Sequence, residues 1–435
     1  MATVDPVYEI NGSDIPTGVK GTFRALRHRN FRLFFIGQMI SVTGMWMQVV
    51  AQSWLVYRLT GSAVLLGVVG FVGNLPSFVF APLAGVLADR WNRHRLLVAT
   101  QVASMIQALL FAVLILTNVI AVWHIIVLSC LLGFINAFDM PIRQSFVPDM
   151  LDRKDDLSNA IALNSTMVNG SRLIGPSIAG ILIAAVGEGY CFLINGLSFI
   201  AVIGALLAMK GYRKQKKVRH EPVWQGLKVG FSYVFGFPPL SAIILLLALV
   251  SLLGMPYVIL MPIFAKTILG GGPNTLGFLM AATGIGALVA AIYLASRNNV
   301  RGLGKMVGVS TGIFGLGLVL FSFSRSFPLS VALMAVTGFG MITQMAGSNT
   351  VLQTITEEDK RGRVMSFYTM AFRGMAPFSS LLAGGLASAI GAPYTLLISG
   401  LCTMLGALWY SRKVSSLRQL CPTGDVFGPV APNAR

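Results

Sequence analysis

Lys210-Gly-Tyr-Arg-Lys-Gln-Lys-Lys-Val-Arg-His-Glu-Pro222 divides the chain near its middle, and it is the longest polar break between apolar runs. A helix crossing the hydrocarbon core needs about 20 mostly apolar residues. Six such stretches precede the break, at 31–57, 64–89, 96–116, 122–141, 160–186 and 191–209. Six follow it, at 240–264, 276–295, 303–323, 329–349, 364–390 and 394–410, with spans nine and ten divided at 324–327. Directly after the break, 223–237 is amphipathic and suited to lie along a membrane interface. The expected organisation is an N-terminal segment (1–30), a first six-helix bundle (31–209), a linker with its interfacial helix (210–239), a second bundle (240–411) and a tail (412–435).

Composition agrees. Of 435 residues, 55% are hydrophobic and 11% charged, with a mean hydropathy of +0.75; soluble domains carry about a quarter charged residues. Too few polar groups are present to cover a water-exposed surface, so the expected class is an all-α membrane protein. No cleavable signal peptide is read at the start, because the first apolar run is too long for one and lacks a cleavage site. The net charge of +18 reflects short basic connections rather than a nucleic-acid surface, for which no motif appears. One set of connections holds Arg24, Arg27, Arg29 and Arg32, then Arg90, Arg93 and Arg95, then Arg143, Arg153 and Lys154, then the linker, and continues likewise to Arg412, Lys413 and Arg418. The alternate connections hold only Arg58, Lys266 and Arg325. This bias places the basic face and both termini in the cytoplasm of a cell with a plasma (inner) membrane, and an even span count agrees. The four cysteines and four histidines show no ligand spacing, so neither metal nor cofactor is expected.

The two halves carry a repeat. Arg172-Leu-Ile-Gly-Pro176 in span five recurs as Arg373-Gly-Met-Ala-Pro377 in span eleven, with Ser165 and Ser366 at equal offsets before the arginines and Gly384 near the place of Gly180. Duplicated bundles about a shared cavity are a common construction of secondary transporters.

Span two ends in Gly85-Val-Leu-Ala-Asp89-Arg90-Trp-Asn-Arg93-His-Arg95. This resembles the loop-two motif of the major facilitator superfamily, GxxxDRxxRxR, at its expected place between spans two and three. The resemblance implies that Gly85, Asp89, Arg90, Arg93 and Arg95 form a latch between conformations. Span five, with Gly170, Arg172, Gly175, Pro176 and Gly180, is similar to the motif associated with exporters of that superfamily. On the residues alone, its glycines allow close packing and its proline a bend. Trp54-Leu-Val-Tyr57-Arg-Leu-Thr-Gly-Ser62, Pro141-Ile-Arg143-Gln-Ser-Phe-Val-Pro148-Asp149 and the segment from Leu352 to Arg363 resemble the enterobactin-exporter-like branch, and the likeness runs from about Phe23 to Tyr410. It implies twelve transmembrane helices in two pseudo-symmetric six-helix bundles and proton-driven export. Two departures stand out. Where many proton-coupled exporters begin RxxxGxxxA with arginine, position 129 is serine before Gly133 and Ala137, and the loop 296–305 lacks the second Asp-Arg.

Ionisable residues inside spans are costly and are functional candidates. At about 1.5 Å per residue, Arg172 lies roughly 18 Å and Arg373 roughly 14 Å into their spans, near the midplane. They either face an anionic or hydroxyl-rich cargo or bind backbone carbonyls and polar neighbours such as Asn164, Asn169 and Asn349. Asp139 and Arg143, four apart, suit an ion pair, either a protonatable switch or a static one. Asp139 is the deepest acid of the first half. Gln38, Gln48, Gln52 and Asn74, with Gln344 and Asn349 from the second half, are candidates for a cavity lining. The expected activity is secondary active export of small amphiphilic, siderophore- or drug-like molecules, proton-coupled, by a single chain in the bilayer. Import or lipid flipping on the same fold, or a transport-dead sensor, are the alternatives. No HExxH, GxSxG or phosphate loop points to an enzyme, and no filter to a channel.

Overall fold

The computed structural model describes residues 23–90, 92–210, 223–297, 300–358 and 360–417, without the side chains of 81–90, 154, 223–229 and 414–417. The N-terminal segment up to 22, the basic linker 211–222 and the tail from 418 lie outside the described residues.

Every expected span is helical. The first half comprises α1 (Arg29–Thr60), α2 (Ala63–Arg90), α3 (Arg93–Leu116), α4 (Val122–Phe146), α5 (Leu157–Val186) and α6 (Glu188–Leu207). After the linker comes α7 (Val223–Gly236), the helix expected at the interface. The second half holds α8 (Pro238–Ile268), α9 (Pro273–Ala295), α10 (Leu303–Phe323), α11 (Phe327–Ile355), α12 (Arg361–Arg373), α13 (Ala376–Ile390) and α14 (Ala392–Leu417). Eleven of these are long and apolar enough to cross a membrane. The remaining crossing is α12 and α13 in series, so the expected continuous span 364–390 is interrupted at 374–375. The cause is local. Pro377 has no N–H to offer the Arg373 carbonyl, and its ring crowds that carbonyl. Pro176 stands in the same relation to Arg172, yet α5 runs through it unbroken.

Lipid is the solvent for the outer surface: Leu207 is 66% exposed, Phe323 62% and Leu405 64%. Within the first half α1 packs on α5 and α6, α3 on α6, and α2 on α4; within the second, α11 packs on α9 and α10, and α10 on α14. The halves join through two crossings, α2 with α13 and α5 with α9. Both close on paired glycines. A Cβ at Gly67 would stand 2.7 Å from the Ser380 carbonyl oxygen and 2.9 Å from Gly384 Cα, and one at Gly180 would stand 3.0 Å from Gly277 Cα. Such distances leave room for hydrogen alone, which is how helices approach closely where lipid supplies no hydrophobic drive. Gly67 and Gly277 hold the same position near the starts of α2 and α9, while Gly180 and Gly384 are the repeat-related pair read from sequence. Tyr57 Oη and Thr267 Oγ1, 2.6 Å apart, add a third link between the halves. These contacts start at the end of the bundle remote from the basic connections.

At the basic face, residues before α1 dock on the α4–α5 connection. Ala25 N donates to Asn159 Oδ1 at 2.9 Å, and Arg24 Nε pairs with Asp156 Oδ1 at 2.5 Å. His28 lies between two carboxylates, Nδ1 at 2.8 Å from Asp152 and Nε2 at 2.8 Å from Asp156. Burial opposes charge on this ring, but the paired carboxylates outweigh it and raise the pKa above its ordinary 6.5. A raised folded-state value means that the stabilisation is full below about pH 6.5 and is lost as pH climbs through the folded value. Melting of the purified protein should therefore show a downward step in Tm with rising pH above 6.5, and His28→Gln should flatten it; an unchanged step in the variant would exclude this cluster as its source.

Candidate functional site

The sequence candidates separate into two places. Asp139, Arg143, Gln48 and Gln52 line one cavity inside the first half, between α1, α3, α4 and α6, with Gln38, Gln101, Ser104, Gln107 and Asn195. Its helix faces follow from spacing. Gln38, Ser41, Met45, Gln48 and Gln52 recur every three or four residues along α1, and Gln101, Ser104 and Gln107 every three along α3, so each set shares one face. About 60 Å³ is open there to water centres, several times the 10–15 Å³ or so that one water requires. Asp139 is 3% exposed. Its Oδ1 accepts from Thr100 Oγ1 at 2.9 Å and Gln101 Nε2 at 2.6 Å, while Oδ2 pairs with Arg143 Nη2 at 2.7 Å. Deeper in, Asn195 Nδ2 donates to Gln48 Oε1 at 2.5 Å, Gln48 Nε2 to Gln107 Oε1 at 3.3 Å, and Gln52 Nε2 to Ser129 Oγ at 2.9 Å. Ser129, at the position where the resemblance expects arginine, is thus hydrogen-bonded to one of the lining amides. Gln38 Oε1 and Gln101 Oε1 are buried without a protein partner.

Arg172 and Arg373 do not reach that cavity's lining; they belong to the region between the halves. Thr43 Oγ1 meets Ser171 Oγ at 3.1 Å, and a Cβ on Gly175 would lie 2.6 Å from Trp46 Cβ. This tight α1–α5 contact sets the Arg172 guanidinium over the Trp46 ring, 5.0 Å from its centroid. Of the asparagines considered as partners, Asn169 donates to the Ser165 carbonyl of its own helix, while Asn349 Oδ1 accepts from Gln353 and its side chain also hydrogen-bonds Tyr368 of α12. Arg373, at the α12–α13 break, donates to Met140 Sδ of α4 and lies within electrostatic reach of Arg143 and Tyr368.

The span-five glycines also need correction as a single packing set. Gly175 meets α1 and Gly180 meets α9, but a Cβ at Gly170 would touch nothing within 4 Å. A spacing of five turns successive positions by about 140°, so the three cannot share a face. Asn74, a candidate lining residue, is exposed and donates to its own Gly70 carbonyl. Of the loop-two residues, the side chains of Gly85, Asp89 and Arg90 lie outside the described residues. Arg93 pairs with Asp149 at 3.6 Å and donates to the Ser145 carbonyl at 3.3 Å, both at the end of α4, while the Arg95 N–H is capped by Asn92. Sequence reading passed over Gln101, Gln107, Asn195, Trp46, Tyr257 and Tyr368. The three amides carried a usable signal, being polar groups within apolar spans.

Two duplicated six-helix bundles joined at glycine crossings, with polar groups held at membrane depth, define a transporter of the major facilitator fold. The chain belongs to the family of transmembrane secretion effectors, whose model matches residues 20–420. It is similar to the staphyloferrin A transporter of Staphylococcus aureus (27% identical, over 86% of this chain and 93% of that one). It is also similar to the multidrug efflux pump Tap of Mycolicibacterium fortuitum (29%, over 82% and 89%) and the enterobactin exporter EntS of Shigella boydii (25%, over 87% and 92%). A solved bacterial homologue of the human lysosomal transporter Spinster, inward-facing and unoccupied, shares the fold at a TM-score of 0.67 and 12% identity, over 91% of this chain and 98% of that one.

If Asp139 and Arg143 act as one unit, their variants should be non-additive. Asp139→Asn and Arg143→Gln should each lower unfolding stability, because each leaves a group in α4 without its partner. The double variant should recover a coupling of about 1–3 kcal/mol; strict additivity in detergent melts would show that the pair is incidental.

Proposed function

We propose that this protein is a proton-coupled secondary exporter of small amphiphilic molecules, siderophore- or drug-like, working by alternating access as a single chain in the bacterial inner membrane. The observation that carries this reading is Asp139. Among the described side chains it is the carboxylate held within a spanning helix away from its ends, it borders a cavity roomy enough for water, and it holds Arg143. A group that exchanges protons needs a polar route that stays open while the halves move. A cavity enclosed by four helices of one half satisfies that requirement.

The coupling follows from charge. With Asp139 ionised, Arg143 is neutralised at 2.7 Å. When Asp139 takes a proton, Arg143 becomes an uncompensated cation within reach of Arg373, which belongs to the other half. Repulsion between these like charges would then loosen the contact of α4 with the α12–α13 break. In this reading the basic face is cytoplasmic, the glycine crossings seal the opposite side, and Gly85, Asp89, Arg90, Arg93 and Arg95 steady one end state. Outward direction is supported by the family's description and by the span-five motif.

Purified protein in liposomes with an imposed pH gradient, tested against a panel of siderophores and cationic dyes, checks this directly. Cargo should move against the proton flow, and Asp139→Asn should slow gradient-driven flux by about 100-fold or more, the low end of what a positioned acid–base group contributes to a proton-transfer step. Flux indifferent to the gradient, or unaltered by Asp139→Asn, would refute the coupling.

A further inference from the structure

The region between the halves combines cations, aromatic rings and thioethers. Arg172 Nη1 is buried without a protein partner, and so is Nε1 of Trp46, the ring on which this guanidinium rests. Two donors that otherwise demand acceptors therefore stand side by side. Tyr257 of α8 is within electrostatic reach of Arg172, and its hydroxyl donates to Met341 Sδ at 3.5 Å. One turn further along α11, the Met345 carbonyl accepts from Tyr368 Oη at 3.2 Å, and Tyr368 neighbours Arg373. The same stretch of α11 thus links two arginine–tyrosine pairs, one built on each half's copy of the Arg-x-x-x-Pro repeat. Arg373, like Tyr257, spends a donor on a methionine sulfur.

Thioether sulfur is a weak acceptor. An oxyanion offered to these groups gains charge-assisted hydrogen bonds about twice as strong as neutral ones, and the sulfurs it displaces lose little. Among the described side chains, the acids of the spanning helices are engaged elsewhere. The oxygens of Asp139 are already engaged by Thr100, Gln101 and Arg143, and Glu188 is bound to Arg58 at the far end of α6. A cation placed near Arg172 and Arg373 would meet like charge, most strongly at the buried Arg172 Nη1. The aromatic and methionine surfaces suit a planar apolar body.

We propose that the cleft between the halves binds amphiphilic anions, molecules bearing two or more carboxylate-like groups on an aromatic or otherwise planar body, with Arg172 and Trp46 taking one group and Arg373 another, and that it discriminates against lipophilic cations. This names the cargo class for the export reading above, but the binding it asserts needs neither proton coupling nor a direction.

Isothermal titration of the purified chain, at one pH and without a gradient, with benzene-1,3,5-tricarboxylate and with tetraphenylphosphonium separates the possibilities. The tricarboxylate should bind and the phosphonium should neither bind comparably nor displace it. Arg172→Gln and Arg373→Gln should each weaken tricarboxylate binding at least tenfold, and Arg172→Lys should lose less than Arg172→Gln. Arg373 sits at a helix break and is exposed, so Arg373→Gln decides the matter if Arg172→Gln does not yield folded protein. Arginine-dependent tricarboxylate binding supports the assignment even if gradient-driven flux is never found. Tighter binding of the phosphonium, no binding of the tricarboxylate, or an affinity indifferent to both arginines overturns it.

Discussion

With hydrocarbon around the bundle, no helix gains by hiding a leucine from its surroundings, so cohesion has to come from close backbone approach and from polar groups that lack any other partner. The glycine crossings express the first requirement. Gly67 against Gly384 and Gly180 against Gly277 bring α2 to α13 and α5 to α9 at distances that a methyl group would forbid. These seams lie towards one end of the bundle, and side-chain contacts such as Phe78 with Phe378 and Arg373 with Met140 continue the interface between the halves. Such an arrangement permits rigid halves to rock.

The second requirement governs the charges. Asp139 is tolerable within α4 because three donors converge on it. Arg172 is tolerable because the Trp46 face lies beneath it. The proton-exchanging candidate and the cargo-facing candidates therefore occupy different compartments, one inside a half and one between halves. Arg373 links them, touching Met140 of α4 and standing within electrostatic reach of Arg143.

Much of this was legible in the residues. The helical spans on either side of the mid-chain break depend on hydropathy alone, which acts locally along the chain. The Arg-x-x-x-Pro repeat, with Gly180 and Gly384, was read only as a sign of duplication, and the structure places both glycines where the halves join. Of the polar span residues read as candidates for a cavity lining, Gln38, Gln48 and Gln52 border the cavity inside the first half, and Asn74, Gln344 and Asn349 do not. What escaped was whatever depends on rotation about a helix axis or on a distant partner. Gly170 was grouped with Gly175 and Gly180 although their spacing sends them to different faces. Trp46 gave no sign that Arg172 would rest on it, since the contact requires α1 and α5 to close at Gly175. Pro176 and Pro377 look alike in sequence, yet only the second breaks its helix, where Gly374 further weakens the turn.

The account depends on the two halves parting and closing about their glycine seams, and a reversible tether across one seam tests this most directly. Tyr57→Cys with Thr267→Cys, replacing the side chains that touch at 2.6 Å, can be joined by a short bis-thiosulfonate in liposomes. Substrate flux should stop when the pair is linked and return on reduction; flux that continues unabated across a fully linked population would contradict a mechanism in which these halves separate.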